Sequence, residues 1–147
     1  SIDLFNIARP NDINLNIAVG SKNEIRTFYY KKKNYPMNTL SKKFAKRFWS
    51  NKDHIKKNKI MTQTFNYLVK KIKKIDLLDI DVEGTEYDVI KNINFKNVSF
   101  KIILIELSLF NAAARSNTKK IKQLLLKENY KYVTHFGETS VYKNKLY

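Results

Sequence analysis

The sequence predicts an α/β fold with a mostly parallel sheet. Apolar runs of strand length alternate with stretches whose apolar residues recur at helical spacing. Residues 100–107, FKIILIEL, form the apolar run expected of a strand covered on both faces. The run before it, Leu77-Leu78-Asp79-Ile80-Asp81-Val82-Glu83, ends in carboxylates and Gly84, and helical spacing begins at once. A strand that stops where a helix starts marks the rim at which open α/β sheets bind their ligands.

The elements follow in chain order. Ile2, Leu4, Phe5, Ile7 and Ala8 have the spacing of an amphipathic helix, ended by Arg9-Pro10-Asn11-Asp12. Ile13, Leu15, Ile17 and Val19 alternate with Asn14, Asn16 and Ala18, which predicts a strand closed by Gly20. A second strand over 24–30 is joined to it by a turn-rich segment, so the two should pair as a hairpin. Asn38 or Thr39 is placed to cap a helix carrying Leu40, Phe44, Ala45, Phe48 and Trp49. The lysine-rich residues 50–58 read as a loop or linker and 59–63 as a short strand; Phe65, Leu68, Val69 and Ile72 then have helical spacing.

The acidic strand over 77–83 leads to a helix beginning near Thr85, with Thr85 and Asp88 spaced as a capping box and Tyr87, Ile90 and Ile93 inward. After the 100–107 strand, residues 111–116 are a small-residue loop, and Ser116 or Asn117 caps a helix with Ile121, Leu124, Leu125 and Glu128. Residues 130–136 and 139–143, split by Gly137, close the chain as an antiparallel pair on the sheet edge.

At 147 residues the chain is one domain or part of one, with 43% hydrophobic and 29% charged residues arguing against disorder. It has no cysteine, which excludes disulfides and thiolate metal sites and fits a reducing compartment. No apolar run approaches the ~20 residues of a spanning helix. A cytoplasmic protein without a transmembrane segment is the expectation. The charge of +16 resembles a nucleic-acid signature, but the lysines scatter over every element and no reading motif accompanies them, which argues against nucleic acid as the partner. Most of Tyr29, Tyr30, Tyr35, Phe48 and Trp49 are read as core rather than base-stacking residues. His54 and His135 share no ligand spacing, so no histidine metal site is expected.

On a strand through 77–83, Leu78, Ile80 and Val82 face one side and Asp79, Asp81 and Glu83 the other. Asp79, Asp81, Glu83 and Glu86 fall within eight residues and cannot all be buried and charged without partners. At a strand end such acids can accept bonds from an amine or sugar hydroxyls, one with a raised pKa can act as a base, or several can hold a divalent cation. Glu106, ending the next strand, joins them if that strand is a sheet neighbour.

The segment LLDIDVEGTEYDVI resembles the FkbM-type S-adenosylmethionine-dependent methyltransferases. Ile80-Asp81-Val82-Glu83-Gly84, Glu86, Val89-Ile90 and the later Ile103-Leu104-Ile105-Glu106 match the family's strand-turn-helix and following strand. Residues 9–19 and 38–44 are similar to further family segments, whereas Asp79 stands where members carry Lys, Asn or another polar residue. The resemblance implies a Rossmann-like class I methyltransferase sheet and S-adenosyl-L-methionine as cofactor. It implies transfer of a methyl group to a hydroxyl of a glycan or small metabolite. It places Asp81 and Glu83 in catalysis, Asn16, Ile17, Ala18 and Asp81 around the cofactor, and Glu86 and Glu106 on the acceptor, with no metal.

The family's fold begins with a strand and glycine-rich turn that hold the cofactor. The only glycines here are Gly20, Gly84 and Gly137. Residues 1–147 are therefore expected to be a partial domain without the first βαβ unit, weak in cofactor binding and activity. Self-association through exposed sheet edges is expected as well. Two other function classes fit the residues: a basic nucleic-acid-binding module, and a divalent-metal phosphotransferase or nuclease using Asp79, Asp81, Glu83 and Glu106.

Overall fold

The computed structural model describes residues 2–32, 35–49, 55–107 and 112–147. In chain order its elements are α1 (Ile2–Ala8), β1 (Ala18–Val19), β2 (Glu24–Tyr30), α2 (Lys42–Phe48), β3 (Lys56–Gln63) and α3 (Phe65–Leu68). Then come β4 (Lys74–Ile80), α4 (Glu86–Ile90), β5 (Ser99–Glu106), α5 (Ala112–Lys127), β6 (Tyr130–Phe136) and β7 (Thr139–Asn144). The α/β class holds, but the expectation of one mostly parallel sheet does not. There are two mixed sheets among the described residues, a three-stranded one ordered β1-β3-β2 and a four-stranded one ordered β4-β5-β7-β6.

In the larger sheet β4 and β5 run parallel, with Ile80 opposite Ile105. The closing hairpin forms as expected, and its second strand, β7, is the one that pairs antiparallel to β5. Both faces of β5 bury side chains: Phe100 on one, Ile103 and Ile105 on the other, all at 0% exposure. Val89, Ile90 and Ile93 around α4 and Ile121 and Leu125 of α5 complete this core. Each fully buried aliphatic side chain there contributes roughly 1.5–3 kcal/mol of transfer free energy. Tyr130 also lies in this core, and its hydroxyl accepts the Phe100 N–H at 3.0 Å.

In the smaller sheet, the predicted hairpin of residues 13–19 with 24–30 is not made. β3 lies between the two segments, antiparallel to β2 and parallel to β1. Thr62 of β3 explains the arrangement. It is fully buried, and its hydroxyl oxygen lies 2.8 Å from the Lys22 carbonyl and 3.0 Å from that of Glu24. The turn that would have closed the hairpin wraps around β3 instead. Residues 13–17 lie outside any strand, and Ile13 is 89% exposed.

Other boundaries move for local reasons. Residues 56–58, expected in a loop, belong to β3, while 50–54, including His54, lie outside the described residues. α3 is one turn rather than a helix reaching Ile72, because pairing with β5 takes the chain from Lys74 onward. Ser41, not Asn38 or Thr39, caps α2: its hydroxyl accepts the Phe44 N–H at 3.1 Å. α5 starts at Ala112, four residues before Ser116, consistent with the high helix propensity of its alanines. Most of the predicted 111–116 loop is therefore helix, and Asn111 lies outside the described residues.

Candidate functional site

β4 ends at Ile80, so Asp81, Val82 and Glu83 lie in the turn beyond the strand. Leu78 and Ile80 point into the core and Asp79 is exposed, as the two-residue alternation requires. The turn reverses through two left-handed residues, Glu83 at φ 52° and Gly84 at φ 93°. Gly84 is needed twice over, since a Cβ there would also lie 2.8 Å from Phe44 Cδ2 of α2.

The predicted capping box is absent. The Thr85 hydroxyl makes no cap bond to α4 and instead donates to the Val82 carbonyl at 3.3 Å, while Asp88 pairs with Lys91 at 2.6 Å. Glu86 performs a comparable task from inside the turn. Its carboxylate accepts the Gly84 N–H at 2.8 Å, and the side chain is only 9% exposed.

The parallel pairing of β4 and β5 brings Glu106 to the same rim. Asp81, Glu83 and Glu106 each place a carboxylate oxygen within 4.8 Å of the others. Asp79 is outside this cluster, so the four-acid metal set drawn from the sequence reduces to three. Burial, followed by the charges of Asp81, Glu86 and Glu138, pushes the Glu83 carboxyl up to about 7. Glu106 is pushed up to about 8, by burial first and then by Asp81, Glu83 and Glu86 and a hydrogen bond with Asp81. Glu86 is raised too: burial outweighs the backbone hydrogen bonds at Glu86, Gly84 and Val82 that hold it down.

A cleft of about 150 Å3 opens beside these acids. Glu86 and Glu106 line it together with Phe44 and Arg47 of α2 and Thr118 and Ile121 of α5. The sequence reading missed the contributions of α2 and α5. Phe44 and Ile121 carry only the helical apolar spacing of core residues, and nothing local marks Arg47 among so many cations. Glu138, whose charge raises Glu83, was missed for the same reason: it follows Gly137 in the β6–β7 turn, remote in sequence from the acids.

Asn16, Ile17 and Ala18 lie in or just before β1 and do not line this cleft. Tyr132 bonds His135 Nδ1 at 2.6 Å, and neither residue lines the cleft. Trp49 is buried, with Tyr35 edge-on to it at 6.3 Å, in keeping with a core role. No helix among the described residues is long and apolar enough to cross a membrane.

The family model for the methyltransferase FkbM domain matches residues 3–132, a span that contains Asp81, Glu83, Glu86 and Glu106. No curated protein and no solved structure matches the chain.

Proposed function

Because the chain belongs to the methyltransferase FkbM domain family, we propose that it moves a methyl group from S-adenosyl-L-methionine to a hydroxyl of a glycan or small metabolite. The observation that carries this reading is the meeting of Asp81, Glu83 and Glu106 at the carboxyl ends of two parallel neighbours, beside a cleft. On the same reading β4, β5 and the closing hairpin are part of a Rossmann-like class I methyltransferase sheet. The lack of cysteine makes a reducing, cytoplasmic setting part of it.

The donor set fits the cationic end of that cofactor, since three neighbouring carboxylates favour a positive charge. Asp81 would hold that end, and Asn16, Ile17 and Ala18 remain the residues proposed for the adenosine side. When bound, the cofactor supplies an electrophilic methyl group. The protein's part is to align and deprotonate the acceptor hydroxyl. Glu83 and Glu106, at about 7 and about 8, exchange protons near neutral pH, the range suited to a general base. Glu83 takes the hydroxyl proton as the oxygen becomes nucleophilic, Asp81 orients the hydroxyl, and Glu106 and Glu86 hold the acceptor. Glu86 also fixes the turn through the Gly84 N–H, which sets the carboxylates in advance of binding.

The test is transfer of a labelled methyl group from the cofactor to a panel of hydroxyl acceptors. Asp81→Asn and Glu83→Gln should each lower the rate by about 10²-fold or more, as loss of a positioned acid–base group does. Transfer that is undiminished in both variants would overturn the assignment.

The spacing of the same three carboxylates favours a second reading, a divalent-cation site serving phosphoryl transfer or phosphodiester cleavage. It requires magnesium-dependent turnover that is lost in Asp81→Asn. Activity indifferent to magnesium removes it.

A further inference from the structure

A second groove, of about 480 Å3, is lined by residues of β2, β3, the start of α2 and the Gly84 turn. This groove and the cleft beside the acids share Ser41, Lys43 and Gly84 as lining residues, so they adjoin at the first turn of α2 and the Gly84 turn. Their charges differ. The cleft mixes Glu86 and Glu106 with Lys43 and Arg47 and adjoins Asp81 and Glu83, whereas the groove is lined by Arg26, Lys42, Lys43 and Lys59 against one acid. The groove's acid, Asp88, is already paired with Lys91 at 2.6 Å.

A chain with many lysines presents cations everywhere, so lysine number alone marks nothing. Arginine is the sharper marker, because its planar fork matches sulfate, phosphate and carboxylate oxygens in pairs. The chain has four arginines; Arg26 lines the groove, and Arg47 lines the adjoining cleft. Thr27 and Tyr29 supply a hydroxyl and an aromatic surface along the same groove.

We infer that the groove binds an anionic group on the acceptor, a sulfate, phosphate or carboxylate, while the acceptor's neutral hydroxyl end lies at Asp81, Glu83 and Glu106. This rests on the methyltransferase reading of the acid cleft. The physical reason is orientation. A neutral acceptor has no electrostatic preference between the two adjoining spaces. One with an anionic end is drawn to Arg26, Lys42, Lys43 and Lys59, where the facing acid, Asp88, is already paired, so its hydroxyl end is left toward the acids.

The experiment is calorimetric binding without cofactor, which separates this inference from the methyl-transfer reading. The probes are a sulfated tetrasaccharide, its desulfated counterpart and inorganic phosphate. The sulfated compound should bind, and Arg26→Glu with Lys59→Glu should weaken it by about tenfold or more, the effect of losing charge-assisted contacts. Lys101→Glu with Lys131→Glu, exposed positions on β5 and β6, makes the same change in net charge away from the groove and should leave affinity within about twofold. Arg26→Gln with Lys59→Gln repeats the test without charge reversal, with melting curves showing that each variant is folded.

Equal losses in the two charge-reversed pairs would mean unspecific attraction to the +16 chain and overturn the proposal. So would equal binding of the desulfated sugar. Binding of phosphate as tight as that of the sulfated sugar, with the same loss in the groove variants, supports an anion subsite that reads the charged group alone. If the groove binds as described but no acceptor is methylated, the anion site stands and the methyl-transfer reading fails.

Discussion

The Thr39 hydroxyl donates to the Glu83 carbonyl oxygen at 2.6 Å, across 44 residues of sequence. The Thr39 hydroxyl oxygen in turn accepts the Ser41 N–H at 2.9 Å, and Thr39 is paired by its backbone with Tyr29 of β2. One fully enclosed side chain thus ties the smaller sheet and the entry to α2 to the left-handed turn that carries the acids. Thr39→Val keeps the shape and removes both bonds. A loss of about 1–3 kcal/mol is expected, the cost of leaving buried groups unpaired, read as a lower denaturant midpoint at unchanged slope. No change in midpoint would show that water replaces the hydroxyl.

Gly84→Ala meets two penalties, a left-handed φ of 93° and a Cβ contact of 2.8 Å with Phe44. The expected loss exceeds about 1 kcal/mol. Adding Phe44→Leu should recover the steric part and leave the backbone part. A double-mutant cycle on unfolding free energy measures the coupling, and strict additivity would show that Phe44 is not the obstacle.

Glu83 and Glu106 make stability depend on pH in a definite direction. Both have folded pKa values, about 7 and about 8, above the ordinary carboxylate value of 4.5. Between that value and about 8 the folded chain binds more protons than the unfolded one, so stability falls as pH rises through this window and returns as pH falls. The melting temperature should be higher at about pH 5.5 than at about pH 8.5, and Glu106→Gln should flatten the difference. A profile that rises with pH over this range would contradict the burial of these acids.

β4 pairs with β5 on one side and with no other strand among the described residues. Leu77 on it is 53% exposed. An apolar strand edge of this kind recruits other edges. We expect concentration-dependent association in sedimentation experiments and a shift toward monomer in Leu77→Lys. Monomeric behaviour of the parent protein at all concentrations would remove the prediction.

The acid site was legible because its signals are local. An apolar run ending in Asp81-Val82-Glu83-Gly84 marks a strand, its end and a turn within a few residues. The run at 100–107 identifies β5 by itself, and parallel pairing of successive apolar strands is the common outcome, so Glu106 could be placed beside Asp81. The hairpin of residues 13–30 was misread for a complementary reason. Alternation tells which side chains share a face and says nothing of which strand supplies the hydrogen bonds. β3 competes for both segments and wins with Thr62, whose bonds to Lys22 and Glu24 span about forty residues.

The amino-acid order alone determined the α/β class, the acidic turn after β4, the closing hairpin and the family pattern, because each depends on neighbours a few residues apart. Only the tertiary structure decided that there are two mixed sheets, that Asp79 lies outside the acid cluster, and that α2 and α5 wall the cleft. It also raised Glu83 and Glu106 toward neutrality. Burial and charge proximity are properties of distances in space, and no local spacing encodes them.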